Sequence, residues 1–281
     1  MTAPPRSARV EVGDIVAVER LGALIELTAR LPHLARGAAP GQFAQLRCGN
    51  GIVPLLRRPF SVAWVEDDRC SFVFEEVGAG TRLLGALQPG DTLDVLGPLG
   101  QGFGIDAAAE RALIVSGGVG CAPFPLLVRA LTDAGVRSIS VLSGSATAAR
   151  LYPAARFGRG AAVRVLEATD DGSAGAHGRV LDLLTDDAEM TDAAVYACGP
   201  NRMLAALWDR VSASQVRPVR CEASLEAPMG CGYGTCLGCA LPVLPSDSGA
   251  PWALCCSNGP VMAMGAVDWD AVRTLPAADV A

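Results

Sequence analysis

The spacing of the cysteines in the last quarter of the chain constrains its fold most. Cys231, Cys236 and Cys239 form a Cys-x4-Cys-x2-Cys run, and adjacent cysteines follow at 255 and 256. This is the plant-type pattern of a [2Fe–2S] centre, in which one loop wraps three thiolates around two irons and a distant cysteine closes the fourth position. Gly230, Gly232, Gly234 and Gly238 punctuate the loop, so its backbone is free to take positive φ and bring N–H groups close to sulfur. Hydrogen bonds of that kind spread the negative charge of a cluster and raise its potential. A structural zinc site competes with this reading, but its usual form is two Cys-x2-Cys pairs, and here only Cys236 and Cys239 make one. A redox Cys-x-x-Cys pair belongs at a helix N-terminus after a strand, not in a glycine loop. The spacing favours Cys231, Cys236, Cys239 and Cys256 as iron ligands. Cys256 is preferred because the turn Ser257-Asn258-Gly259-Pro260 follows it directly, with Cys255 as the alternative.

Composition removes other classes. A chain of 281 residues exceeds one typical domain and predicts two or three compact units. The net charge of −6 argues against a nucleic-acid binder, which depends on neutralising phosphates. All 23 basic residues are Arg, which excludes a lysine Schiff base and a Walker-type phosphate lysine. His33 and His177 are the only histidines, too few for a multi-histidine metal site. No apolar leader opens the chain, and the uncharged stretch 112–128 is too broken by Gly and Pro to span a membrane. A cytoplasmic address is expected, with cysteines reduced or metal-bound instead of paired in disulfides. Cys48 and Cys70 read as small buried hydrophobes.

Alternating apolar and polar positions predict strands over 10–18, 22–29, 43–47, 60–65, 70–77 and 92–96, with a short helix near 81–87. Short strands separated by Gly and Pro predict a small antiparallel barrel over 1–100. From about Gly97 strands and helices alternate: strands 112–116, 138–142, 162–168 and 193–198, helices 123–134, 146–155, 178–184 and 202–211. That alternation predicts, over 101–215, a parallel sheet covered on both faces. A last strand at 216–221 opens a Cys-rich segment over 216–265, and a tail over 266–281 is expected to fray.

Between a predicted strand and helix lies Ser116-Gly117-Gly118-Val119-Gly120-Cys121-Ala122-Pro123. Glycines there permit close backbone approach to a pyrophosphate, and the helix N-terminus supplies partial positive charge. Cys198-Gly199-Pro200 ends a later strand and is expected at the same carboxyl edge of the sheet, where open α/β sheets bind ligands. In the barrel, Arg57-Arg58-Pro59-Phe60-Ser61 enters a strand, and Gly78-Ala79-Gly80-Thr81 leads into the short helix. An arginine beside a helix N-terminus is suited to clamp a second pyrophosphate.

Taken together, the barrel, the sheet and the cysteine loop resemble the ferredoxin–NAD(P) reductase family across about residues 8–215. With Met229-Gly-Cys-Gly-Tyr-Gly-Thr-Cys-Leu-Gly-Cys and Cys256-Ser-Asn-Gly-Pro, the chain resembles the electron-transfer subunits of class 1B dihydroorotate dehydrogenases over nearly its whole length. The resemblance implies an antiparallel flavin-binding β-barrel, a parallel-sheet dinucleotide-binding domain and a small iron–sulfur segment. It implies FAD on the barrel, NAD on the sheet and the [2Fe–2S] cluster near the C-terminus. It also implies a hetero-oligomer with a separate FMN-containing catalytic subunit that turns dihydroorotate into orotate, in pyrimidine biosynthesis. Arg58, Pro59, Phe60 and Ser61 match the family's Arg-Pro-x-Ser flavin motif, with Arg58 on an FAD phosphate and Ser61 near the isoalloxazine. Gly80 and Thr81 match the turn whose backbone meets the FAD pyrophosphate. Gly117, Gly118 and Gly120, with Cys198, Gly199 and Pro200, match the nicotinamide-dinucleotide loops. Cys231, Cys236, Cys239 and Cys256 match the cluster ligands. Phe60 stands where wider relatives often have Tyr, and the strand at 138–142 is followed by no acidic residue to grip a ribose 2′-hydroxyl.

The implied activity is an oxidoreductase relay in which bound carriers, not reactive side chains, convert a hydride pair into single electrons. Two alternatives stand beside it. One is an NAD(P)H-dependent flavin and iron–sulfur reductase serving an oxygenase or another acceptor; the other is a zinc-stabilised binding module. Tyr233 and Leu237 belong either to an interface beside the cluster or to the core.

Overall fold

The computed structural model describes residues 8–49, 51–106, 109–158, 162–245 and 249–275. Its first unit contains β1 (Arg9–Leu21), β2 (Leu24–Arg30), α1 (Pro32–Gly37), β3 (Phe43–Leu46), β4 (Arg58–Ser61), β5 (Trp64–Glu66), β6 (Arg69–Glu75), α2 (Ala79–Gly85) and β7 (Thr92–Leu99). The strands form one curled antiparallel sheet in the order β4-β3-β7-β1-β2-β6-β5. Alternation along them turns Ile25, Leu27, Ala44, Leu46, Phe72 and Phe74 into a common core. The strand predicted over 60–65 is in fact two, β4 and β5, at opposite edges of the sheet. Val62 and Ala63, both fully buried, join them; their N–H groups donate to Gln42 O (3.0 Å) and Ser71 O (2.9 Å). A link this short holds the two edges side by side and so curls the sheet into a barrel.

Helix α1 was not anticipated. Pro32 lies in its first turn, and the Glu11 carboxylate accepts the orphan N–H groups of His33 (2.8 Å) and Leu34 (3.0 Å). Helix α2 begins two residues before the predicted 81–87, and β7 runs on to Leu99, into the glycine-rich connector.

The second unit contains β8 (Arg111–Gly117), α3 (Phe124–Asp133), β9 (Ser138–Ser145), β10 (Val163–Thr169), β11 (Ala176–His177), β12 (Ala193–Cys198), α4 (Asn201–Ala213) and β13 (Arg220–Ser224). The cysteine segment adds the hairpin β14 (Ala240–Pro242) and β15 (Trp252–Leu254), then β16 (Val261–Ala263) and α5 (Trp269–Val272). The large sheet runs β11-β10-β9-β8-β12-β13-β16, parallel except for β16. Leu113, Val115, Val195 and Ala197 face α4, whereas Ala112, Ile114, Ala194 and Tyr196 face α3, so both faces are covered.

Two predicted helices are absent. Over 146–155 there are only single 3-10 turns, Ala148–Arg150 and Ala154–Arg156. Pro153 between them lacks the N–H a continuous helix needs, and the segment is tied to the barrel instead. Arg150 bonds Glu75 (3.0 and 2.6 Å), Tyr152 OH donates to Glu26 (3.0 Å), and Arg156 reaches Glu26 (2.9 Å) and Glu19. Over 178–184 there is a 3-10 turn, Val180–Leu183, where the Asp182 carboxylate accepts the Arg179 N–H (2.7 Å). The last predicted strand, 216–221, forms instead as β13, shifted toward the C-terminus and parallel to β12.

The tail does not simply fray. Val267, Trp269 and Val272 are buried, and Trp269 Nε1–H donates to Met264 O (2.7 Å). These residues share one core with Cys239, Cys255 and Cys256, with Phe43 of β3, and with β8, β12 and α4. The cysteine segment is therefore built into the sheet's core. No helix among the described residues is long and apolar enough to cross a membrane.

Candidate functional site

The Arg-Pro-Phe-Ser run occupies β4, an edge strand laid against β3 with Gln45 opposite Pro59 and Phe43 opposite Ser61. Its two arginines differ. Arg57 Nη2–H donates to both carboxylate oxygens of Asp94 (2.9 Å each), and Nη1–H to Asp94 O (3.0 Å). Arg58 makes no ion pair among the described residues; its Nη1–H donates only to Leu56 O (2.9 Å) and Arg57 O (3.4 Å). The Arg58 side chain runs past the first turn of α2. A Cβ on Gly80 would lie 3.4 Å from Arg58 Cγ, 3.6 Å from its Nε and 3.1 Å from Cys48 Sγ. Thr81 holds this turn: its hydroxyl accepts from the N–H groups of Val77 (2.9 Å) and Gly78 (3.0 Å) and donates to Gly78 O (3.1 Å). The geometry thus places an uncompensated guanidinium beside first-turn N–H groups, a donor set suited to a pyrophosphate. Phe60 is half-buried and packs on Phe74 with ring centroids 5.3 Å apart.

The two glycine-bearing loops, 117–120 and 198–200, meet at the end of two adjacent parallel strands, β8 and β12, with Ser116 opposite Cys198. The chain steps from β8 to β9 and β10 on one side and returns to β12 on the other, so this is the topological switch point. Backbone lies on backbone here. A Cβ on Gly120 would fall 2.4 Å from Cys198 O and 2.7 Å from Gly199 N, and one on Gly199 3.0 Å from Gly117 Cα. Gly118, at φ +56, faces open space. Pro200 precedes α4. Two residues not named among the expected cofactor contacts, one of them the first of the glycine loop, lie at the same edge. Ser116 Oγ and Asn201 Oδ1 are buried without a protein partner, as ligand-binding polar atoms would be in the apoprotein. The available signal was positional: the first polar residue after an apolar strand, and the first helical residue after Gly-Pro. Burial pushes the thiols of Cys121 and Cys198 well above the ordinary cysteine range, so neither is a thiolate. Beyond β9, Ser145 OH donates to Thr147 O (2.6 Å). Acidic residues follow β10, where Asp170 N–H donates to Ser145 O (3.0 Å).

The cysteine loop sets its thiols in two pairs. Cys239 and Cys256 lie 3.2 Å apart, sulfur to sulfur, and Cys231 Sγ accepts the Cys236 N–H (3.5 Å). Cys256 Sγ also accepts the Gly234 N–H (3.1 Å), and Cys239 Sγ accepts the Cys256 N–H (3.4 Å). Slight burial pushes the Cys231 thiol up, but the N–H groups of Cys236, Tyr233 and Thr235 outweigh it and draw it down to about 6. Burial, reinforced by Cys239, pushes Cys256 up to about 12. Cys255 points elsewhere: its thiol donates to Leu225 O (3.3 Å), and burial raises it too. Among the described residues, no three Cys, His, Asp or Glu side chains converge as a single-ion site requires. Two thiol pairs with N–H donors suit a two-iron centre, in which each iron takes two thiolates. Tyr233 and Leu237 are 58% and 64% exposed, so they are surface residues, not core.

Residues 226–268 match the family described as the iron–sulfur cluster binding domain of dihydroorotate dehydrogenase B, and residues 114–208 match an oxidoreductase NAD-binding domain. Two proteins named dihydroorotate dehydrogenase B (NAD(+)), electron transfer subunit, are each 42% identical to this chain. They come from Geobacillus thermodenitrificans (strain NG80-2) and Bacillus caldolyticus, and the alignments cover 86% of this chain and 91% of each relative. The solved structure of an NADH-dependent reduced ferredoxin-NADP oxidoreductase superposes with a TM-score of 0.79 at 28% identity, covering 93% of this chain and 91% of that one. The ferredoxin reductase of a carbazole 1,9a-dioxygenase gives 0.64 at 21% identity, covering 76% and 68%, and shows the common fold alone. The chain belongs to the family of dihydroorotate dehydrogenase B electron transfer subunits.

Proposed function

We propose that this chain is the relay subunit of an NAD-dependent dihydroorotate dehydrogenase. It moves electrons between NAD and a partner subunit that carries FMN and oxidises dihydroorotate to orotate, and it holds FAD and a [2Fe–2S] centre to do so. The supporting observation is the position of β3. One of its edges carries the flavin strand β4, and its Phe43 packs in the core that contains Cys239, Cys255 and Cys256. When bound, FAD exchanges a hydride with nicotinamide and single electrons with an iron–sulfur centre.

The chain's own residues bind and orient. Arg58 and the Gly80–Thr81 turn would hold the FAD phosphates, and Ser61, with Pro59 and Phe60, would border the isoalloxazine. Gly117, Gly118, Gly120 and Cys198-Gly199-Pro200 seat NAD, and Asp170 and Asp171 at that edge disfavour the added charge of a 2′-phosphate. Cys231 and Cys236 would hold one iron, and Cys239 and Cys256 the other. The division follows: an FAD barrel over 1–100, an NAD unit over 101–215 and an iron–sulfur segment over 216–265. Tyr233, Leu237 and Trp252, exposed around the cysteine loop, form the docking area for the FMN subunit in a hetero-oligomer. A cytoplasmic address belongs to the same reading, since free thiols intended for iron persist in a reducing compartment.

The test is anaerobic purification from iron-replete cells, followed by assay with and without the FMN subunit. The expected protein contains FAD, iron and acid-labile sulfide, and reduces NAD⁺ with dihydroorotate only when that partner is added. Native material lacking both flavin and labile sulfide overturns the reading, as does oxidation of dihydroorotate by this chain alone. Electron delivery to an oxygenase, with no FMN partner co-purifying, would favour the reductase alternative. In the same preparation Cys256→Ser is expected to lose the red-brown absorption and Cys255→Ser to keep it; the reverse pattern reassigns the fourth ligand.

A further inference from the structure

Gln45 is a buried polar residue that the proposed function leaves without a task. Strand β3 reads Phe-Ala-Gln-Leu and is buried at every position, a setting in which an apolar side chain is the usual occupant. Gln45 is 0% exposed, and neither Nε2 nor Oε1 has a hydrogen-bond partner in the protein. Buried carboxamides are nearly always hydrogen-bonded, because leaving both ends unmet forfeits their hydration with nothing in return.

Its surroundings narrow what that partner is. The ladder sets Gln45 opposite Pro59 of the flavin strand on one side and Leu96 of β7 on the other. Pro59 has no N–H, and a leucine side chain offers no polar atom. A register shift between Phe43 and Gln45 in the β3–β7 pair marks a bulge, the kind of irregularity that re-aims a side chain. Gln45 is aimed at the cysteine loop. A Cβ on Gly232, the residue after Cys231, would lie 2.7 Å from Gln45 Cγ and 2.8 Å from its Nε2. Glycine at 232, held at φ +85, leaves the carboxamide room to lie directly on the loop.

The geometry points to Gln45 as a positioning residue for the iron–sulfur centre: its free carboxamide N–H is placed to donate to a sulfur of the bound centre on the Cys231 side, seating the loop against the flavin strand. This rests on the reading of the four cysteines as cluster ligands. An N–H···S bond is stronger when the centre carries the extra electron, so Gln45 holds the reduction potential up.

The experiment uses the full-length chain with its bound cofactors, comparing wild type with Gln45→Leu and Gln45→Glu. Iron and labile sulfide are counted, and the centre is titrated while followed by electron paramagnetic resonance. At a fixed ambient potential the reduced-to-oxidised ratio is expected to fall about tenfold in Gln45→Leu, the scale of one lost hydrogen bond to a charged group. It should fall further in Gln45→Glu, and the resonance of the reduced centre should change in both. Loss of iron with flavin retained in Gln45→Leu also supports the seating role. Should the leucine variant fail to fold, Gln45→Met, unbranched and of similar length, carries the same readings. A variant with wild-type iron content, resonance and potential overturns the assignment of Gln45 alone. A wild-type chain without iron or sulfide overturns the proposed function instead.

Discussion

Arg57 and Arg58 are chain neighbours with different environments: Arg57 lies just before β4 and Arg58 opens it. Arg57 is tied to Asp94 across the sheet, whereas Arg58 meets no carboxylate among the described residues. Arg58→Ala is expected to weaken FAD retention by roughly 10- to 100-fold, the range of a lost charge-assisted hydrogen bond, while leaving the unfolding of the apoprotein unchanged. Arg57→Ala is expected to cost about 1–2 kcal/mol of stability, since the pair is only partly buried. Flavin fluorescence on dilution reads the first and denaturant unfolding the second; equal effects of the two variants on both would refute the distinction. The Arg-Pro-Phe-Ser run is visible in the sequence, but which guanidinium is free depends on Asp94, a partner in a distant strand. The doubled cysteine repeats the lesson. Spacing leaves 255 and 256 open as the fourth ligand of the proposed centre, and the fold gives them different surroundings, with Cys255 on Leu225 O and Cys256 beside Cys239.

Among the elements, the segment that joins β9 to β10 shows most clearly what governs local structure. Its alanines favour a helix, yet Pro153 interrupts it and Arg150, Tyr152 and Arg156 fasten it to the barrel. Glu26 is the anchor: it is 8% exposed and accepts from both Tyr152 and Arg156. Tyr152→Phe should therefore cost about 1 kcal/mol and Glu26→Ala about 2–3 kcal/mol, because the alanine variant leaves a buried phenol and a half-buried guanidinium without their acceptor. Thermal or denaturant unfolding measures both; a Glu26→Ala variant as stable as Tyr152→Phe would show that Arg156 contributes nothing. Strands were easier to read than this segment. Their alternation reports burial within a few residues, whereas the 3-10 turns answer to carboxylates up to 137 positions away. The split of 60–65 into β4 and β5 was hidden for the same reason, since Val62 and Ala63 are as apolar as the strands they join.

Across the whole molecule, the cysteine segment and the parallel sheet are one packing unit. Cys239, Cys255 and Cys256 share a core with β8, β12 and α4, and β16 forms the edge of the sheet beside β13. Removing iron with acid and a chelator is therefore expected to lower the melting temperature of the entire α/β unit and to weaken NAD binding. Calorimetry of the stripped and loaded proteins checks this; a separate low-temperature transition that leaves the main one in place would show that the loop folds on its own. Metal-linked folding of this kind arises because the ligands are organised only in the native state.

The sequence by itself determined the carriers and the order of the parts. Cysteine spacing, glycine loops and the change from strand alternation to strand–helix alternation are written in short windows, where local backbone chemistry decides the outcome. Tertiary structure alone decided which buried groups meet: Gln45 with Gly232, Glu26 with Tyr152 and Arg156, Ser116 and Asn201 at one sheet edge. Those meetings depend on register and packing between segments far apart in the chain, and no local periodicity carries that information.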